Sequence, residues 1–292
     1  MEFLIVLNAG LSSEDFFDKD NFLLNCANEL DINLTLKTNT DIKYYYSSDG
    51  IKVDLPNYDA VLFYSKDIFL AKALEKNGYK VFNSSECIKN CDNKILTYKI
   101  LAENKLPIPK TFVLPLTFFY NKELLSNFLD MIESELLYPM VAKKWFGSEG
   151  KQVFLIKSRN ELDTLIRNEH GKELLFQEFF SECSGVDYRL NIVNNKVISA
   201  MKRSSLTGDF RSNTSLGGKA ENYNPTTEEI ELSLKASKVL DCSFSGIDIM
   251  HTKKGLIICE VNSNAQLKNI LSLSKINAFK LILEYIKNEI SK

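Results

Sequence analysis

Histidine is scarce in this sequence, with only His170 and His251 among 292 residues. Six cysteines are dispersed along the chain, and only Cys87 and Cys91 lie close together. With so few histidines elsewhere, this pair is predicted to be a poor zinc site, and its spacing of four predicts neighbours on one helix. The apolar surroundings of most cysteines favour free thiols in a reducing compartment over disulfides.

A large excess of one charge is also missing, since 36 Lys and Arg face 38 Asp and Glu, for a net charge of -2. This balance gives no electrostatic footprint for nucleic acid or an anionic membrane, so we expect neither partner. No apolar run approaches the roughly 20 residues that span a bilayer. An acid, Glu2, stands where a signal peptide needs lysines, so the N-terminus is predicted to be a first strand in a cytoplasmic protein.

The chain is 45% hydrophobic and 25% charged, which is ordinary globular composition at a length sufficient for two or three domains. Up to Asn83, strand-like runs alternate with helical patterns, as in a small parallel α/β layer. The predicted strands cover 3–7, 32–36, 59–64 and 79–82, and the predicted helices lie near 20–30 and 68–76.

Beyond Asn83 the pattern favours antiparallel sheets. Apolar residues from Ile88 to Ala102 recur at helical spacing after a serine cap at 84 or 85, which predicts one long helix ending before the prolines 107 and 109. Further helices are predicted at 122–134, 160–168, 225–240 and 274–290, and strands at 138–143, 152–156, 173–180, 188–193 and 196–203.

The segment 244–264, FSGIDIMHTKKGLIICEVNSN, is predicted to be a hairpin with a three-residue loop at 253–255. This loop would place Asp248 opposite Glu260, with Asn262 on the same face and Ile247, Ile249, Ile257, Cys259 and Val261 on the other. Oxygen ligands without histidine or thiolate suit magnesium, which also binds substrate phosphates. A surface hairpin with scattered polar residues is the alternative.

A glycine loop, Gly147-Ser-Glu-Gly150, separates two predicted strands directly after Lys143. Such a loop lets backbone amides approach anionic oxygens, and the lysine adds positive charge. The same tetrapeptide is also common in plain hairpin turns. It has neither the order of a Walker loop nor that of a GxGxxG turn, so the two common nucleotide folds are not indicated.

A series of short motifs, taken in order, resembles the ATP-grasp superfamily and, more narrowly, the RimK-type alpha-L-glutamate (amino acid) ligases. The likeness extends from about residue 80 to 270 and rests on the order and spacing of individually weak motifs. They are DNK at 92–94, LPIPKT at 106–111, PMVAK at 139–143, GSEG at 147–150, FQEFF at 176–180, GVDYR at 185–189, AMKR at 200–203, GDFRSN at 208–213, GG at 217–218, GID at 246–248 and CEVN at 259–262.

The resemblance implies an α/β N-terminal domain followed by an α+β ATP-grasp fold that clasps ATP between two antiparallel sheets. The implied domains are 1–83, a central domain 84–183 and a C-terminal domain 184–292. It further implies an ADP-forming ligase that joins a carboxylate and an amine through an acyl phosphate, with ATP and two Mg²⁺ ions, or Mn²⁺, as cofactors. Homodimers or homotetramers are known in such families.

The resemblance also assigns site residues by motif. Asp248, Glu260 and Asn262 would bind the metal, and Arg203, Arg211 and Asn213 would be catalytic. The implied nucleotide-binding residues are Lys94, Lys143, Gly147, Ser148, Gly150, Gln177, Glu178, Phe179, Phe180, Asp187 and Arg189. Lys94 and Lys143 would contact phosphates, and 177–180 would meet adenine through backbone groups. The residues alone leave alternatives: solvated or structurally paired arginines, a turn asparagine at 213 and a helix-surface lysine at 94.

Two departures from the family pattern concern the edges of the site. The glycine loop continues with Lys151 where relatives commonly have another glycine, and 263–268 reads SNAQLK in place of a serine-proline-glycine turn. The second loop borders the acceptor site in the family, so the amino acid and the acceptor (peptide, protein terminus or small metabolite) stay open. A peptide-tailoring macrocyclising ligase and a non-catalytic nucleotide-binding module are the alternative functions.

Overall fold

The protein is represented by a computed structural model that describes residues 1–10, 20–118, 121–213, 217–264 and 267–292. Its N-terminal part contains a parallel sheet in the order β2-β1-β5-β6. The predicted parallel α/β layer is therefore present. The elements are β1 (Glu2–Leu7), α1 (Asp20–Asn28), β2 (Asn33–Thr38), β3 (Lys43–Ser47), β4 (Gly50–Asp54), β5 (Ala60–Tyr64), α2 (Ile68–Lys76) and β6 (Val81–Phe82).

The hairpin of β3 and β4 was not predicted. Most of its residues are exposed, and its tyrosines and lysines carry a weak apolar signal compared with the fully buried β5. A strand covered on both faces becomes continuously apolar, whereas only one side of this hairpin packs against the rest of the chain. Tyr44 and Val53 pack against the cluster around Phe63 and Leu74.

Two helices replace the single helix predicted after residue 84: α3 (Ser85–Asp92) and α4 (Lys94–Glu103). Ser84 caps α3 by accepting from the Cys87 N–H at 3.1 Å. Asn93 is extended, and its side chain accepts from the N–H groups of Ile95 at 3.0 Å and Leu96 at 3.3 Å. The break arises because an asparagine side chain competes for backbone donors and starts a new helix.

The central sheet is antiparallel in the order β7-β10-β8-β9, with two helices packed on one face. Its elements are β7 (Thr111–Val113), α5 (Lys122–Leu136), β8 (Met140–Lys144), β9 (Val153–Ile156), α6 (Arg159–Asn168) and β10 (Leu174–Glu178). β10 ends two residues before the predicted end, so Phe179 and Phe180 have left the hydrogen-bonded strand. A single 3-10 turn, Ser181–Cys183, follows.

The C-terminal sheet is antiparallel in the order β13-β12-β11-β14-β15. The elements are β11 (Val186–Val193), β12 (Lys196–Ser204), β13 (Lys219–Asn222), α7 (Thr227–Val239), β14 (Phe244–Thr252), β15 (Gly255–Asn262), α8 (Leu267–Ser274) and α9 (Ala278–Ile290). The final helix was predicted to begin at Ser274, but α8 ends there. Asn277 caps α9 by accepting from the Lys280 N–H at 3.0 Å.

The C-terminal sheet buries its two faces differently. One face packs on α7 and α4. On the other face, Val193, Met201 and Phe244 share a hydrophobic cluster with Phe3 of β1 and with α9. Asn83 strengthens this junction, since its side chain donates to the carbonyl oxygens of Phe244 at 2.9 Å and Ser263 at 2.7 Å.

Because β1 and α9 cover part of the second face of the C-terminal sheet, only the rest of that face is free to form a site against the central sheet. The boundaries at residues 83 and 183 stay predictions. Among the described helices, none is long and apolar enough to cross a membrane.

Candidate active site

A cleft separates the central sheet from the C-terminal sheet, and it encloses about 940 Å³ of empty space that is partly open to solvent. All the candidate residues line it except Arg189 and Asn262. Those on the central side come from α4, β8, β10 and the glycine loop: Lys94, Lys143, Gly147, Ser148, Gly150, Gln177, Glu178, Phe179 and Phe180. Those on the other side are Asp187, Arg203, Arg211, Asn213, Asp248 and Glu260.

The β14–β15 hairpin pairs Asp248 with Glu260, as expected from the sequence. The loop, however, has two residues, because Thr252 pairs directly with Gly255. A bulge between Asp248 and Ile249 then restores the Asp248 pairing. A bulge puts two residues opposite one and exchanges the faces beyond it.

The bulge makes part of the predicted face assignment wrong. Ile258 joins Ile247 and Ile249 in the core, whereas Ile257 packs with Phe180 on the opposite side. Cys259 likewise lines the cleft instead of the core. Val261 lies in the core as expected.

A buried network of two carboxylates and two guanidinium groups lies on the sheet floor of the cleft. Arg203 donates to both oxygens of Asp187, at 2.6 and 2.5 Å, and to Asp248 at 2.7 Å. Arg189 donates to both oxygens of Asp248, at 2.6 and 2.7 Å. Burial alone would raise the pKa of Asp248, but the guanidinium groups of Arg189 and Arg203 hold this pKa below its usual value. Arg189 thus belongs to the network, although it does not line the cleft.

The candidate metal ligands are adjacent on neighbouring strands, where Asp248 faces Glu260 and Gly246 faces Asn262. Asn262 lies in a small recess continuous with the cleft, which Glu260 and Lys94 also line. The Oδ1 atom of Asn264 in this recess is buried and has no hydrogen-bond partner within the described residues. Two carboxylates, an amide and an unsatisfied acceptor make a hard oxygen site, which fits a divalent cation such as Mg²⁺.

Lys94 joins the two walls of the cleft. Its Nζ donates to the Gly147 carbonyl at 2.9 Å and lies 3.3 Å from Glu260 Oε1. The residue is the first of α4, and its side chain is buried, so the alternative of a surface lysine is wrong.

Lys143 is the second buried lysine of the cleft, and its Nζ donates to the Tyr98 hydroxyl at 3.1 Å. Tyr98 in turn donates to the Cys259 carbonyl at 2.5 Å. This chain of contacts fixes the ammonium group between β8 and β15. A buried ammonium group with hydrogen bonds left to donate is a strong site for an anionic ligand.

The glycine loop uses backbone conformations that other residues rarely adopt, with φ of +147° at Gly147 and +72° at Gly150. A Cβ on Gly150 would stand 2.6 Å from Asn213 Oδ1. Arg211 donates to the Gly150 carbonyl at 2.8 Å, while it also pairs with both oxygens of Asp209. The loop is therefore held against the opposite wall by side chains of the segment after β12.

Lys151, which was noted as a departure from the resembled pattern, pairs outside these contacts. Its Nζ pairs with Glu149 at 2.7 Å, and both side chains are exposed. Trp145 anchors the loop, as its indole N–H donates to the Leu174 carbonyl at 3.2 Å and its own carbonyl accepts from the Lys94 N–H.

The end of β10 forms the inner wall of the cleft. The Gln177 amide donates to Thr111 Oγ1 at 2.8 Å. Glu178 accepts from the Lys110 N–H and from Lys254 Nζ, each at 2.9 Å. Beyond Glu178, the backbone groups of Phe179 and Phe180 are no longer used by the sheet.

Several lining residues were not among the predicted site residues. They form an apolar wall of Val141, Val153, Val186 and Met250. Spacing could have revealed two of them, because Val141 lies two residues before Lys143 on β8 and Met250 two residues after Asp248 on β14. In a strand, such residues share a face.

Comparison with known proteins identifies the family. Residues 91–286 match the RimK-like ATP-grasp domain, so the chain belongs to the RimK-like ATP-grasp family. An uncharacterized protein of Mycoplasma genitalium is 35% identical over 255 residues, covering 86% of this chain and 87% of that protein. A probable alpha-L-glutamate ligase of Maridesulfovibrio salexigens is 31% identical over 242 residues, covering 82% and 77%.

Solved structures agree on the fold. An ATP-grasp RimK domain protein of Sphaerobacter thermophilus superposes with a TM-score of 0.72 at 14% identity, covering 97% of this chain and 99% of that one. D-alanine–D-alanine ligase of Bacillus anthracis, complexed with ATP, gives 0.71 at 16% identity, covering 100% and 99%. The expected fold class is confirmed, and the protein is an ATP-grasp ligase, an enzyme of a family that uses ATP and a divalent metal. The roles of individual residues stay predictions.

Proposed function

We propose that this ligase forms an amide bond through an acyl phosphate, adding glutamate or another amino acid to a peptide, protein or small-metabolite acceptor. One observation carries the proposal. A single cleft brings two buried lysines and a glycine loop on one wall against the buried Arg203 and the Asp248–Glu260 pair on the other. Phosphoryl transfer requires such positioned charge more than any covalent help from the protein.

ATP would lie along this cleft with its adenine against the apolar wall and the backbone of Phe179 and Phe180, which lies beyond the end of β10. Glu178 and Asp187 would face the adenine or ribose. The phosphates would then reach Lys94 Nζ and Lys143 Nζ beneath the loop from Gly147 through Ser148 to Gly150. Lys94 would exchange its contact with the Gly147 carbonyl for a phosphate oxygen.

Asp248, Glu260 and Asn262 would hold two Mg²⁺ ions, for which Mn²⁺ is a chemical substitute. When bound, these cations would neutralise phosphate charge. In the present structure both oxygens of Asp248 accept from arginine, so Asp248 shares its charge between Arg189 and Arg203. If Asp187 and Asp248 bound a metal cation, Arg203 would be released to turn toward the anion that develops on the substrate.

In the proposed reaction, a substrate carboxylate oxygen takes the γ-phosphoryl group and ADP leaves. The amine, supplied by either the acceptor or the amino acid, attacks the acyl carbon and loses a proton, and phosphate leaves as the amide forms. Arg203 and Arg211 would stabilise the oxyanion of the tetrahedral intermediate. Asn213, whose Oδ1 lies beside Gly150, would contact the transferred phosphate.

The choice of amino acid rests on relatives. Besides the probable alpha-L-glutamate ligases, human N-acetylaspartylglutamate synthase A is 36% identical over 202 residues, covering 68% of this chain and 50% of that protein. The acceptor would be selected by residues 263–268 and by the N-terminal part of the chain. Asn83 connects these two regions, because its side chain donates to the Ser263 carbonyl. Ala265 and Gln266 lie outside the described residues. A cytoplasmic homodimer or homotetramer is part of the same proposal.

The test measures ADP and phosphate release from ATP and Mg²⁺ across the twenty amino acids, singly and in pairs, with mass spectrometry of the products. We expect turnover with a new amide-linked mass. In a parallel reaction with a precursor peptide in place of the amino acids, a product that has only lost water would instead support the macrocyclising alternative. ATP binding without release in any mixture would point to a larger peptide or protein acceptor, and absence of ATP binding would refute the proposal.

A matched pair of lysines controls the assay. Lys143→Ala should raise the KM for ATP at least tenfold, because it removes a buried ammonium group from the cleft. Lys144, the next residue on β8, points to the opposite face and pairs with Glu169 at 2.7 Å. Lys144→Ala should leave the KM within twofold of wild type. Equal effects of the two substitutions would remove Lys143 from the site.

A further inference from the structure

Three cysteines from distant parts of the sequence meet outside the active-site cleft. Cys87 and Cys91 lie one turn apart on α3, and Cys242 follows α7 just before β14. The Sγ atom of Cys242 is 3.4 Å from that of Cys87 and 3.7 Å from that of Cys91. The three Sγ atoms lie within 4.8 Å of one another. Because only two histidines are present, Cys87 and Cys91 were predicted to be a poor zinc site, and Cys242 was not part of that prediction.

The separations match those of a thiolate metal centre. Zinc binds thiolates at about 2.3 Å in tetrahedral geometry, which places neighbouring sulfur atoms about 3.8 Å apart. No large movement is therefore needed for one cation to contact all three sulfur atoms. Soft thiolate ligands favour such a cation over Mg²⁺, which would keep to the oxygen donors of the cleft.

The ligand positions are fixed by backbone contacts that do not involve the thiols. Ser84 caps the first turn of α3, and Thr97 Oγ1 donates to the Asn90 carbonyl at 2.6 Å just before Cys91. Cys242 is held by its N–H, which donates to the Ser237 carbonyl at 3.0 Å. A preorganised trio of ligands binds metal with little loss of conformational entropy.

The cluster also has a route for a cation. Cys87 and Cys91 are buried, while Cys242 is half-buried. Cys91 lines the recess that contains Asn262 and Asn264. Within the described chain the group has three ligand residues, so a fourth coordination position remains for water or a small exogenous ligand.

From this geometry we propose that Cys87, Cys91 and Cys242 form a zinc site that joins α3 to the start of β14. The site would connect two segments that carry active-site residues, since α3 leads through Asn93 to Lys94 and β14 leads to Asp248. It uses none of the proposed nucleotide or magnesium ligands, although Cys91 lines the same recess as Asn262. Its role would be to stabilise this junction.

The test titrates the reduced full-length chain with Zn²⁺ and, as a reporter of thiolate binding, with Cd²⁺. Millimolar Mg²⁺ is present throughout to occupy oxygen donors. We expect one equivalent to bind, a cadmium–thiolate charge-transfer absorption to appear, and the melting temperature to rise. Cys242→Ser and Cys91→Ser should each weaken binding at least 100-fold and abolish the absorption.

Cys26→Ser is the matched control, because Cys26 is buried but lies on α1, where its sulfur accepts from the Asn277 amide at 3.1 Å. This variant should bind as wild type does. Binding without the thiolate absorption, or binding that survives both cluster substitutions, would overturn the proposal. The readout needs neither ATP nor turnover, so its failure would leave the proposed ligase function untouched.

Discussion

Substitution of Arg203 by leucine tests whether the arginine network is a buried electrostatic unit. Arg203 is 5% exposed and makes three short hydrogen bonds, two to Asp187 and one to Asp248. Its removal leaves the Asp187 carboxylate without its bidentate partner and close to another carboxylate. Breaking a buried pair in this way typically costs about 3–5 kcal/mol, because the remaining charge stays desolvated. We expect a loss of that size in the free energy of unfolding.

Arg211 provides the matched comparison. It also pairs with both oxygens of an aspartate, Asp209, at 3.0 and 2.7 Å, but its side chain is 24% exposed. Arg211→Leu should therefore cost only about 0–1 kcal/mol. Both variants are measured by urea unfolding at pH 7 with EDTA, so that no metal compensates for a lost cation. Equal losses in the two variants would refute the assignment of a buried network.

The stability difference between wild type and Arg203→Leu should also depend on pH, in a direction set by the pKa of Asp248. The pKa of Asp248 is lowered in the folded state, so its contribution is fully present above the unfolded value of about 3.9 and is lost as the pH falls through the folded pKa. The difference between wild type and Arg203→Leu should stay constant from pH 6 to 8 and shrink below about pH 4. A difference that grows on acidification would contradict this reasoning.

Three further substitutions test other parts of the structure. Glu260→Gln should reduce ADP formation at least 100-fold while the circular dichroism spectrum is retained, and wild-type turnover would remove Glu260 from the metal site. Gly150→Ala should raise the KM for ATP about tenfold, because the new Cβ would stand 2.6 Å from Asn213 Oδ1. Gly78→Ala is the control: Gly78 has a φ of +91°, but its Cβ would have no atom within 4 Å, so the KM for ATP should stay unchanged. Glu229→Gln should lower the free energy of unfolding by about 1–3 kcal/mol at pH 7. Glu229 is fully buried, and burial opposes its ionised form, but the Thr226 N–H and other donors hold the pKa of this carboxyl below its usual value. The loss of stability caused by Glu229→Gln should therefore shrink below about pH 4.

Local patterns account for the elements that the sequence predicts well. The range 68–76 was predicted as a helix and is α2, and the strands predicted at 188–193 and 196–203 lie within β11 and β12, which Asn194 and Asn195 join. Helical and strand periodicity depends on neighbours within about four residues, and capping and turn residues act at the same range. The hairpin that pairs Asp248 with Glu260 belongs to this group.

The errors occur where a single residue changes the course of a regular pattern. Asn93 divides the helix after residue 84, because its side chain caps α4, although the apolar spacing continues on both sides. The bulge beside Ile249 moves Cys259 into the cleft. Both effects depend on hydrogen-bond competition that hydrophobic periodicity does not report.

By itself, the sequence determined most of the helices and strands, the order of its motifs and hence the family, because these follow from short-range spacing. The tertiary structure decided which charged groups pair: Arg189 with Asp248, 59 positions later, and Lys94 with Glu260. It also brought Cys242 to Cys87 and Cys91. Such contacts depend on strand register and on how separate sheets pack, and these long-range choices leave no local trace in the chain.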